Sequence, residues 1–482
     1  MKRIGLWLGP VFALVIMLGF DLSPGHPEVT MMAALALLMA VWWITEALPL
    51  AVTALVPVAL FPLFGIMDGK AVAEQYFNHV IFLFMGGFLV ALAMQRWNLH
   101  QRIALFILLR FSHKPAFILL GFMAATAFLS MWISNTATAM MMVPIGLSVI
   151  MSIEERTEDN SSSRGFGIAL LLGIAYSASI GGIATLVGTP PNLSFARIYA
   201  ISFPEAQAPG FADWFFFAFP VSVLLLLLSW GLLCLMWLKG APQTDKALIR
   251  NQYHELGKMG REEGLVLTVF TLLALMWLTR ADIDLGSFTL PGWERFLARP
   301  GWLNDGVVAV FFGILLFILP ARKGQRIMDW ETAEGIPWGI ILLFGGGFAL
   351  ASGFMQSGLS SWIGGELSGL DQLPSWGIVA IISGAITFLT ELTSNTATAE
   401  MILPILAALS TAIGVHPMLL MVPATLSSSF AFMMPVATPP NAIIFGTRRI
   451  RVIDMVKTGL WLNLIGIVLV TLAIFLLGGV LY

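Results

Sequence analysis

Long apolar stretches, repeated many times along the chain, constrain the fold more than any other feature of the sequence. Each stretch holds about 18–25 residues, and a helix that rises 1.5 Å per residue needs about 20 of them to cross ~30 Å of hydrocarbon. Charged residues make up only 11% of the 482 residues, against roughly 25% in soluble domains. The sequence therefore predicts an all-α polytopic membrane protein and excludes a soluble globular domain, a disordered chain and a nucleic-acid binder.

Eleven of these stretches are predicted as transmembrane spans. They lie near 4–20, 29–47, 48–66, 78–96, 166–203, 213–238, 263–280, 303–319, 337–356, 416–446 and 459–481. Two further apolar regions, 115–152 and 374–413, have a polar interruption at the middle and are predicted to return to the side from which they enter. Most Lys and Arg residues then fall on one side, so the positive-inside rule predicts a cytoplasmic N-terminus and an outside C-terminus in the cytoplasmic (inner) membrane.

The chain repeats itself at an offset near 260 residues. FLFMGGF at 82–88 matches LLFGGGF at 342–348, SMWISNTATAMMMVP at 130–144 matches TELTSNTATAEMILP at 390–404, and GTPPN at 188–192 matches ATPPN at 437–441. Three matches in the same order indicate an internal duplication. The predicted units are a first span over 1–28, a first repeat over 29–238, a cytoplasmic linker over 239–262 and a second repeat over 263–482. An odd number of crossings inverts the second copy, which is typical of secondary transporters.

Ser-Asn-Thr triplets at 134–136 and 394–396 interrupt the two remaining apolar regions. Short polar side chains compete with the backbone inside helices and favour helix N-caps. Each region is therefore predicted as a re-entrant hairpin of two half-helices, 115–133 with 137–152 and 374–393 with 397–413. A single Ser-Asn-Thr more often bonds to a neighbouring helix, but the duplication of the triplet favours a binding site.

Paired prolines interrupt two further spans at corresponding positions. The GTPPN and ATPPN segments remove N–H donors in mid-span and prevent the preceding turn from continuing as helix. Freed carbonyls with Ser, Thr and Asn oxygens suit a hard cation such as Na⁺, while half-helix N-termini suit an anion. Neither hairpin core contains Arg, Lys or His, so a doubly charged anion in this site needs bound Na⁺ to balance its charge.

Other residue types give weaker signals. Glu391 and Glu400 flank the second triplet and have no counterparts at the first; each is either a proton or cation site or a structural carboxylate. The six histidines have no metal-ligand spacing, and Cys234 is the single cysteine, so neither a metal centre nor a disulfide is predicted. The glycine-rich stretches at 82–88 and 342–348 are interpreted as sites of close helix packing.

Together with WWITEALPLAVTALVPVALFPLFGI at 42–66, the doubled SNTATA motif and the GTPPN/ATPPN pair resemble the divalent anion/sodium symporter family. The resemblance covers nearly the whole chain. It implies an 11-span protomer with two re-entrant hairpins that works as a homodimer. It also implies a scaffold domain and a transport domain that moves across the membrane by an elevator mechanism.

The resemblance further implies site residues, which are transferred here by matching position. Substrate carboxylates would contact Ser134, Asn135, Thr136, Ser394, Asn395 and Thr396, with Thr438 and Pro439 nearby. The first Na⁺ site would use Ser130, Ser134, Asn135 and Gly188, and the second Thr390, Thr393, Asn395 and Ala437. Ser130 and Thr390 are partners in the internal repeat, which supports the transfer, whereas Thr393 would supply only its carbonyl.

The leading hypothesis is a Na⁺-coupled importer of C4-dicarboxylates such as succinate, malate or fumarate. Its expected partners are a dicarboxylate anion, sodium ions, membrane lipid and a second copy of the chain, with no organic cofactor and no nucleic acid. One alternative is a dicarboxylate, citrate or sulfate carrier that works as a Na⁺-independent anion exchanger. The other is an intramembrane enzyme, which the lack of a nucleophile–base pair or metal ligands in the apolar segments disfavours.

Overall fold

A computed structural model describes residues 2–111, 114–154, 160–240, 247–284, 289–366 and 373–481. Nearly all regular structure in these ranges is helical. The helices are α1 Lys2–Gly19, α2 Pro27–Thr45, α3 Leu50–Thr53, α4 Val56–Leu63, α5 Gly69–Tyr76, α6 His79–Arg96, α7 Leu99–Arg110, α8 Pro115–Ser130, α9 Asn135–Glu154, α10 Asn160–Gly182, α11 Pro190–Ser202, α12 Phe211–Trp237, α13 Ala247–Glu255, α14 Arg261–Leu278, α15 Asp305–Ile318, α16 Trp330–Ala333, α17 Trp338–Gln356, α18 Leu359–Glu366, α19 Ser375–Thr390, α20 Asn395–Ala412, α21 Met418–Ser427, α22 Pro439–Gly446 and α23 Val452–Leu477. Short 3₁₀ helices cover Trp293–Phe296, Arg322–Gly324 and Gly478–Val480. Two short strands, β1 Ile283–Asp284 and β2 Thr289–Leu290, pair antiparallel.

Eight of the described helical segments are long and apolar enough to cross a membrane, and five shorter apolar segments of 10–17 residues accompany them. The predicted multi-pass helical fold is therefore confirmed, while the number of eleven spans stays a prediction. The predicted span 48–66 contains two short helices, α3 and α4, instead of one. Pro57 lies in the first turn of α4, where its missing N–H is tolerated, but it could not continue α3 as a regular helix.

The two predicted hairpins are pairs of helices joined by tight turns, with slightly different boundaries from those predicted. The first helix of each pair ends at Ser130 or Thr390, and the second begins at Asn135 or Asn395. The asparagines therefore lie in the first helical turn and not between the helices. In the first hairpin Ser134 explains this shift, because its Oγ accepts a hydrogen bond from the amide of Ala137 at 3.3 Å and caps the helix.

Both proline-containing segments break their spans, as predicted. In the first half α10 ends at Gly182 and α11 begins at Pro190; in the second half α21 ends at Ser427 and α22 begins at Pro439. Proline fits the first turn of a helix because the amide there has no intrahelical partner. Each pair of prolines therefore begins a new helix after a stretch of irregular backbone.

Glycines on α6 and α17 allow neighbouring elements to pack closely, as the sequence predicted. A Cβ added to Gly86 would lie 2.4 Å from the carbonyl carbon of Ala309 on α15. A Cβ added to Gly346 would lie 2.6 Å from the carbonyl oxygen of Ala54. Both contacts are with backbone atoms, which cannot move aside easily, so only glycine fits at these two positions.

The predicted cytoplasmic linker 239–262 is described except for residues 241–246. Its last part is fixed to the helical bundle by Arg102 on α7. The Nε of Arg102 donates to the carboxylate of Glu263 at 2.6 Å, and its Nη1 donates to the carbonyl of Gly257 at 3.0 Å. This buried ion pair positions the start of α14 against α7.

Candidate functional site: two hairpin tips over one cavity

The tip of the first hairpin contains a cluster of three oxygen atoms. Ser130 Oγ lies 2.6 Å from Asn135 Oδ1 and 2.7 Å from the carbonyl oxygen of Ala178 on α10. Ser130 is fully buried. A hydroxyl carries a single proton, so it cannot donate fully to both neighbours. The cluster thus has more oxygen acceptors than protons, an arrangement that suits a hard cation.

The tip of the second hairpin has the same arrangement. Thr390 Oγ1 lies 2.8 Å from Asn395 Oδ1 and 2.8 Å from the carbonyl oxygen of Ser428, and Thr390 is fully buried. The side chain of Thr393 is engaged elsewhere, since its hydroxyl bonds to a carbonyl of α19 at 2.9 Å and to the hydroxyl of Thr398 at 2.6 Å. Only the backbone carbonyl of Thr393 is then available to a ligand.

Asparagines at the ends of the GTPPN and ATPPN segments hold the irregular backbone in place. Asn192 Nδ2 donates to the carbonyl of Thr185 at 2.7 Å. Asn441 Nδ2 donates to the carbonyls of Ala431 and Met434 at 2.9 and 3.0 Å. Both asparagines are buried. These contacts explain why the asparagine, and not only the paired prolines, is repeated in both segments.

Two residues of the first tip were missed by sequence reasoning. Thr185 Oγ1 donates to the carbonyl of Met131 at 2.6 Å and accepts from the amide of Gly188 at 3.0 Å, which fastens the turn of the hairpin to the broken helix. A Cβ on Gly182 would lie only 2.7 Å from Asn135 Oδ1. The corresponding positions of the second half are hydrophobic, so the internal repeat gave no signal for either residue.

Both tips and both broken helices face one cavity of about 950 Å³. The predicted site residues that line it are Ser134, Asn135, Thr136, Gly188, Thr393, Ser394, Asn395, Thr396, Ala437, Thr438 and Pro439. The two remaining predicted residues, Ser130 and Thr390, lie behind the asparagines in the oxygen clusters. The fold therefore brings together two segments that are about 260 residues apart in the sequence and provides room between them for a small anion with water.

The charged residues that line the described part of this cavity are Lys2 and Glu46. Lys2 Nζ lies 3.1 Å from Glu46 Oε2, and both side chains are largely exposed. Glu46 ends α2 in the left-handed conformation, with a φ of 46°. No motif in the sequence predicts that Lys2 reaches this cavity. Because Glu46 already balances its charge, Lys2 adds little net positive charge for an anion.

The contacts of Glu391 favour its structural interpretation. Its carboxylate accepts hydrogen bonds from the amides of Phe432 at 2.8 Å, Met433 at 2.9 Å and Met434 at 3.0 Å, and from the Nδ2 of Asn463 at 2.8 Å. These donors belong to the irregular segment after α21 and to α23. Glu391 therefore satisfies buried backbone amides that the broken helix leaves without partners.

Glu400 lies outside the cavity lining and is fully buried. Its Oε1 accepts a hydrogen bond from the hydroxyl of Ser194 on α11 at 2.5 Å. Its position beside the second tip in the sequence therefore does not make it a ligand of anything in the cavity. Within the described ranges, no group of three or more His, Cys, Asp and Glu residues is placed to hold a metal ion, so the cation ligands offered here are neutral oxygens.

A membrane bundle in which paired hairpins and broken helices enclose one cavity defines a secondary transporter by class. Residues 5–482 match the model of a family described as the sodium:sulfate symporter transmembrane region. The chain therefore belongs to this family, and its predicted membership of the divalent anion/sodium symporters is confirmed. Because the family is one of symporters, the chain is a membrane transporter and not an enzyme.

Two curated relatives are similar to the chain over almost its entire length. Both are sodium-dependent dicarboxylate transporters SdcS, one from Staphylococcus saprophyticus and one from Staphylococcus aureus. The first is 44% identical over 99% of this chain and 91% of its own length. The second is 44% identical over 98% of this chain and 91% of its own length.

Two solved structures share the fold at low sequence identity. The YdaH transporter of Alcanivorax borkumensis has a TM-score of 0.57 and 13% identity, and the alignment covers 92% of this chain and 98% of YdaH. MtrF of Neisseria gonorrhoeae has a TM-score of 0.58 and 13% identity, with 97% of this chain and 98% of MtrF covered. The architecture of the whole chain is thus that of a known kind of transporter fold.

Proposed function

We propose that this chain is a sodium-coupled secondary transporter that imports C4-dicarboxylates such as succinate, malate and fumarate. The observation that carries the proposal is the convergence of two equivalent tips on one cavity, each backed by its own oxygen cluster. Relatives at 44% identity named as sodium-dependent dicarboxylate transporters support the choice of ion and of substrate class.

Each oxygen cluster is proposed to hold one sodium ion. The first site uses Ser130, Ser134, Asn135 and Gly188, and the second uses Thr390, Thr393, Asn395 and Ala437. The short distances from Ser130 and Thr390 to carbonyl and amide oxygens support this assignment, because a cation relieves the excess of acceptors over protons. The unwound segments add backbone carbonyls whose helical partners are missing.

The substrate is proposed to bind one carboxylate at each tip. Ser134, Asn135 and Thr136 serve one carboxylate, Ser394, Asn395 and Thr396 serve the other, and Thr438 and Pro439 lie nearby. Hydroxyl groups, amide groups and helix N-termini donate hydrogen bonds to carboxylates. The asparagine side chain offers a carbonyl oxygen to sodium and an NH₂ group to the substrate, so it links the two binding events.

The charge of a dicarboxylate is balanced mainly by sodium in this proposal. The charged side chains along the described cavity wall, Lys2 and Glu46, form an ion pair with each other. A dianion without counter-ions would therefore be very unfavourable at membrane depth. Sodium must bind with the substrate, and by linkage each ligand must raise the affinity of the other by the same factor.

The transport cycle is proposed to be an elevator movement between two bodies of an inverted repeat. The units are residues 1–28, a first repeat over 29–238, a linker over 239–262 and a second repeat over 263–482. Helices α9–α11 pack with α20–α22, and α8 packs on α9 and α10, which supports a transport body made of both hairpins and both broken helices. The remaining spans would form a scaffold and a homodimer contact, with the N-terminus in the cytoplasm and the C-terminus outside.

Uptake of labelled succinate into proteoliposomes tests the function directly. An inward sodium gradient should drive accumulation, and replacement of sodium by choline should abolish it. Unlabelled malate and fumarate should compete, while citrate and sulfate should compete less well. Sodium-independent uptake that requires preloaded succinate would instead identify the anion exchanger and contradict the proposal.

A further inference from the structure

Glu400, on α20, places its carboxyl group where α20, α11 and α17 meet. One oxygen, Oε1, accepts the hydrogen bond from Ser194. The other oxygen, Oε2, is buried and has no hydrogen-bond partner among the described residues. The room for the carboxyl group comes from Gly347 on α17, because a Cβ added there would lie 1.6 Å from Oε2. The carboxyl group thus fills the space that a missing side chain leaves.

The surroundings of Glu400 do not provide a counter-charge. Helix α20 packs against α2, α11, α17, α18, α19 and α21. The charged or titratable residues that the described parts of these helices and their ends contain are His26, Glu28, Glu46, Arg197, Tyr199, Glu366, Glu391 and His416. Among the described residues, none is paired with the unpartnered Oε2 of Glu400: Glu46 pairs with Lys2, and the Nη2 of Arg197 donates to Gln75. A buried carboxyl group without a counter-charge is stable in its neutral, protonated form.

The first repeat presents the equivalent position in a different environment. Met140 corresponds to Glu400 and is 61% exposed, whereas Glu400 is 0% exposed. A cavity of about 190 Å³ lies between Gln95 at the end of α6, Asn98 at the start of α7 and Met141 on α9. At the equivalent junction of the second repeat, Met401 is only 6% exposed. Helix α20 is therefore packed against α17 at a place where α9 stands apart from α6.

The difference between the packed α20 and the separated α9 indicates how each helix moves during transport. This step rests on the proposed function, in which the cavity opens alternately to each side of the membrane. The second state of a carrier with inverted repeats exchanges the two arrangements, so that α9 packs and α20 separates. Glu400 would then become as exposed as Met140 is now, and contact with water in that state would release its proton at neutral pH.

We propose that Glu400 is a proton-binding site that controls the transport cycle: α20 packs against α17 only when this carboxyl group holds a proton. The proton comes from water while α20 is separated and returns to water when α20 separates again. The site therefore regulates the cycle without moving protons across the membrane. Its ligand is the proton alone, and it is distinct from the sodium and substrate positions in the cavity.

The pH dependence of sodium-driven succinate uptake tests this inference. Proteoliposomes would be kept at the same pH inside and outside, between about 7 and 9, where succinate remains a dianion because free carboxyls titrate near pH 4–5. Wild-type uptake should fall as the pH rises, by up to about tenfold per pH unit where the repacking of α20 limits the rate. Glu400→Gln, which imitates the protonated form, should make uptake independent of pH.

Two further variants keep the test decisive. Glu400→Met copies the first repeat and should also remove the pH dependence, so the result does not depend on the folding of a single variant. Met140→Gln is the matched control and should retain the wild-type pH profile. Wild-type uptake that does not change between pH 7 and 9, or a Glu400→Gln profile that follows the wild type, would overturn the inference. Absence of sodium-dependent uptake in the wild type at pH 7 would instead contradict the proposed function.

Discussion

The two hairpin tips share the Ser-Asn-Thr triplet but lie in different surroundings. At each tip a buried hydroxyl contacts both an asparagine oxygen and a backbone carbonyl oxygen, which comes from α10 in the first repeat and from the end of α21 in the second. Beyond this shared cluster they differ, because the second hairpin carries Glu391 and Glu400 and packs on α17, whereas the first exposes Met140. The polar groups of the tips are therefore duplicated in the two repeats, whereas the helix packing around them is not.

This difference has a physical reason. In the proposed binding mode each tip binds one carboxylate of the anion, which calls for similar polar clusters in both repeats. A transporter in any single state must open one side of its cavity and close the other, so the helices around equivalent clusters cannot pack alike. The asymmetry of α9 and α20 is therefore the expected property of one state of an alternating-access cycle.

The largest effect is expected from Asn135→Asp and Asn395→Asp. Each change keeps the size of the side chain but replaces a donor to the substrate with a negative charge. Lost donation and added repulsion should cost at least about 3 kcal/mol, so succinate uptake should fall more than about 100-fold in both variants. Uptake into proteoliposomes measures this, with a size-exclusion profile that matches the wild type as the control for folding. Near-normal uptake by one variant would mean that the two tips are not equivalent.

The next largest effect is expected at the close-packed glycines of α6 and α17, which occupy equivalent positions in the two repeats. Gly86→Ala and Gly346→Ala should each lower stability by about 1–3 kcal/mol, because the added Cβ meets backbone atoms at 2.4 and 2.6 Å. Gly87→Ala is the matched control, since its Cβ would lie 3.5 Å from Val187, an ordinary contact. Thermal unfolding of the purified variants measures the difference. An unfolding midpoint for Gly346→Ala equal to that of Gly87→Ala would contradict the close packing of α17.

A smaller effect is expected when the buried hydroxyls are removed. Ser130→Ala and Thr390→Ala each take one oxygen from a proposed sodium site, which should weaken apparent sodium affinity about tenfold, or ~1.4 kcal/mol. Thr390→Ser keeps the hydroxyl and should remain close to the wild type. The sodium concentration for half-maximal succinate uptake is the measurement. If only one of the two alanine variants changes this concentration, only one tip binds sodium, and the proposed equivalence of the two tips is wrong.

Much of this comparison could be predicted from the sequence, since it depends on local motifs. The SNTATA repeat, the paired prolines and the glycine-rich stretches each impose a local backbone requirement, and the structure meets all three. Packing between distant segments was not predictable in the same way. Lys2 reaches the cavity and Glu400 is buried against Gly347 because of how whole helices pack, and no short motif encodes that.

The smallest effect is expected at Asp329, outside the membrane-spanning helices. Its carboxylate accepts from the amide of Thr332 at 2.9 Å and pairs with Arg96, at the end of α6, at 2.5 Å. The Thr332 amide, followed by the Arg96 guanidinium, lowers the pKa of Asp329 to about 2. The equivalent of Arg96 in the second repeat is Gln356, which carries no charge, so this contact is a further difference between the repeats.

Asp329→Asn should destabilise the protein by about 0.5 kcal/mol at pH 7, because Asn keeps the helix cap and loses only the negative charge beside Arg96, and a half-exposed ion pair adds little. The folded-state pKa lies below the unfolded value of about 3.9, so the stabilisation is present above about pH 4 and disappears as the pH falls toward 2. The difference in unfolding midpoint between variant and wild type should therefore shrink on acidification. Glu331→Gln, at an exposed position of α16, is the control and should not change the unfolding midpoint at pH 7 or at acidic pH. A constant difference at all pH values would assign the effect to packing instead of charge.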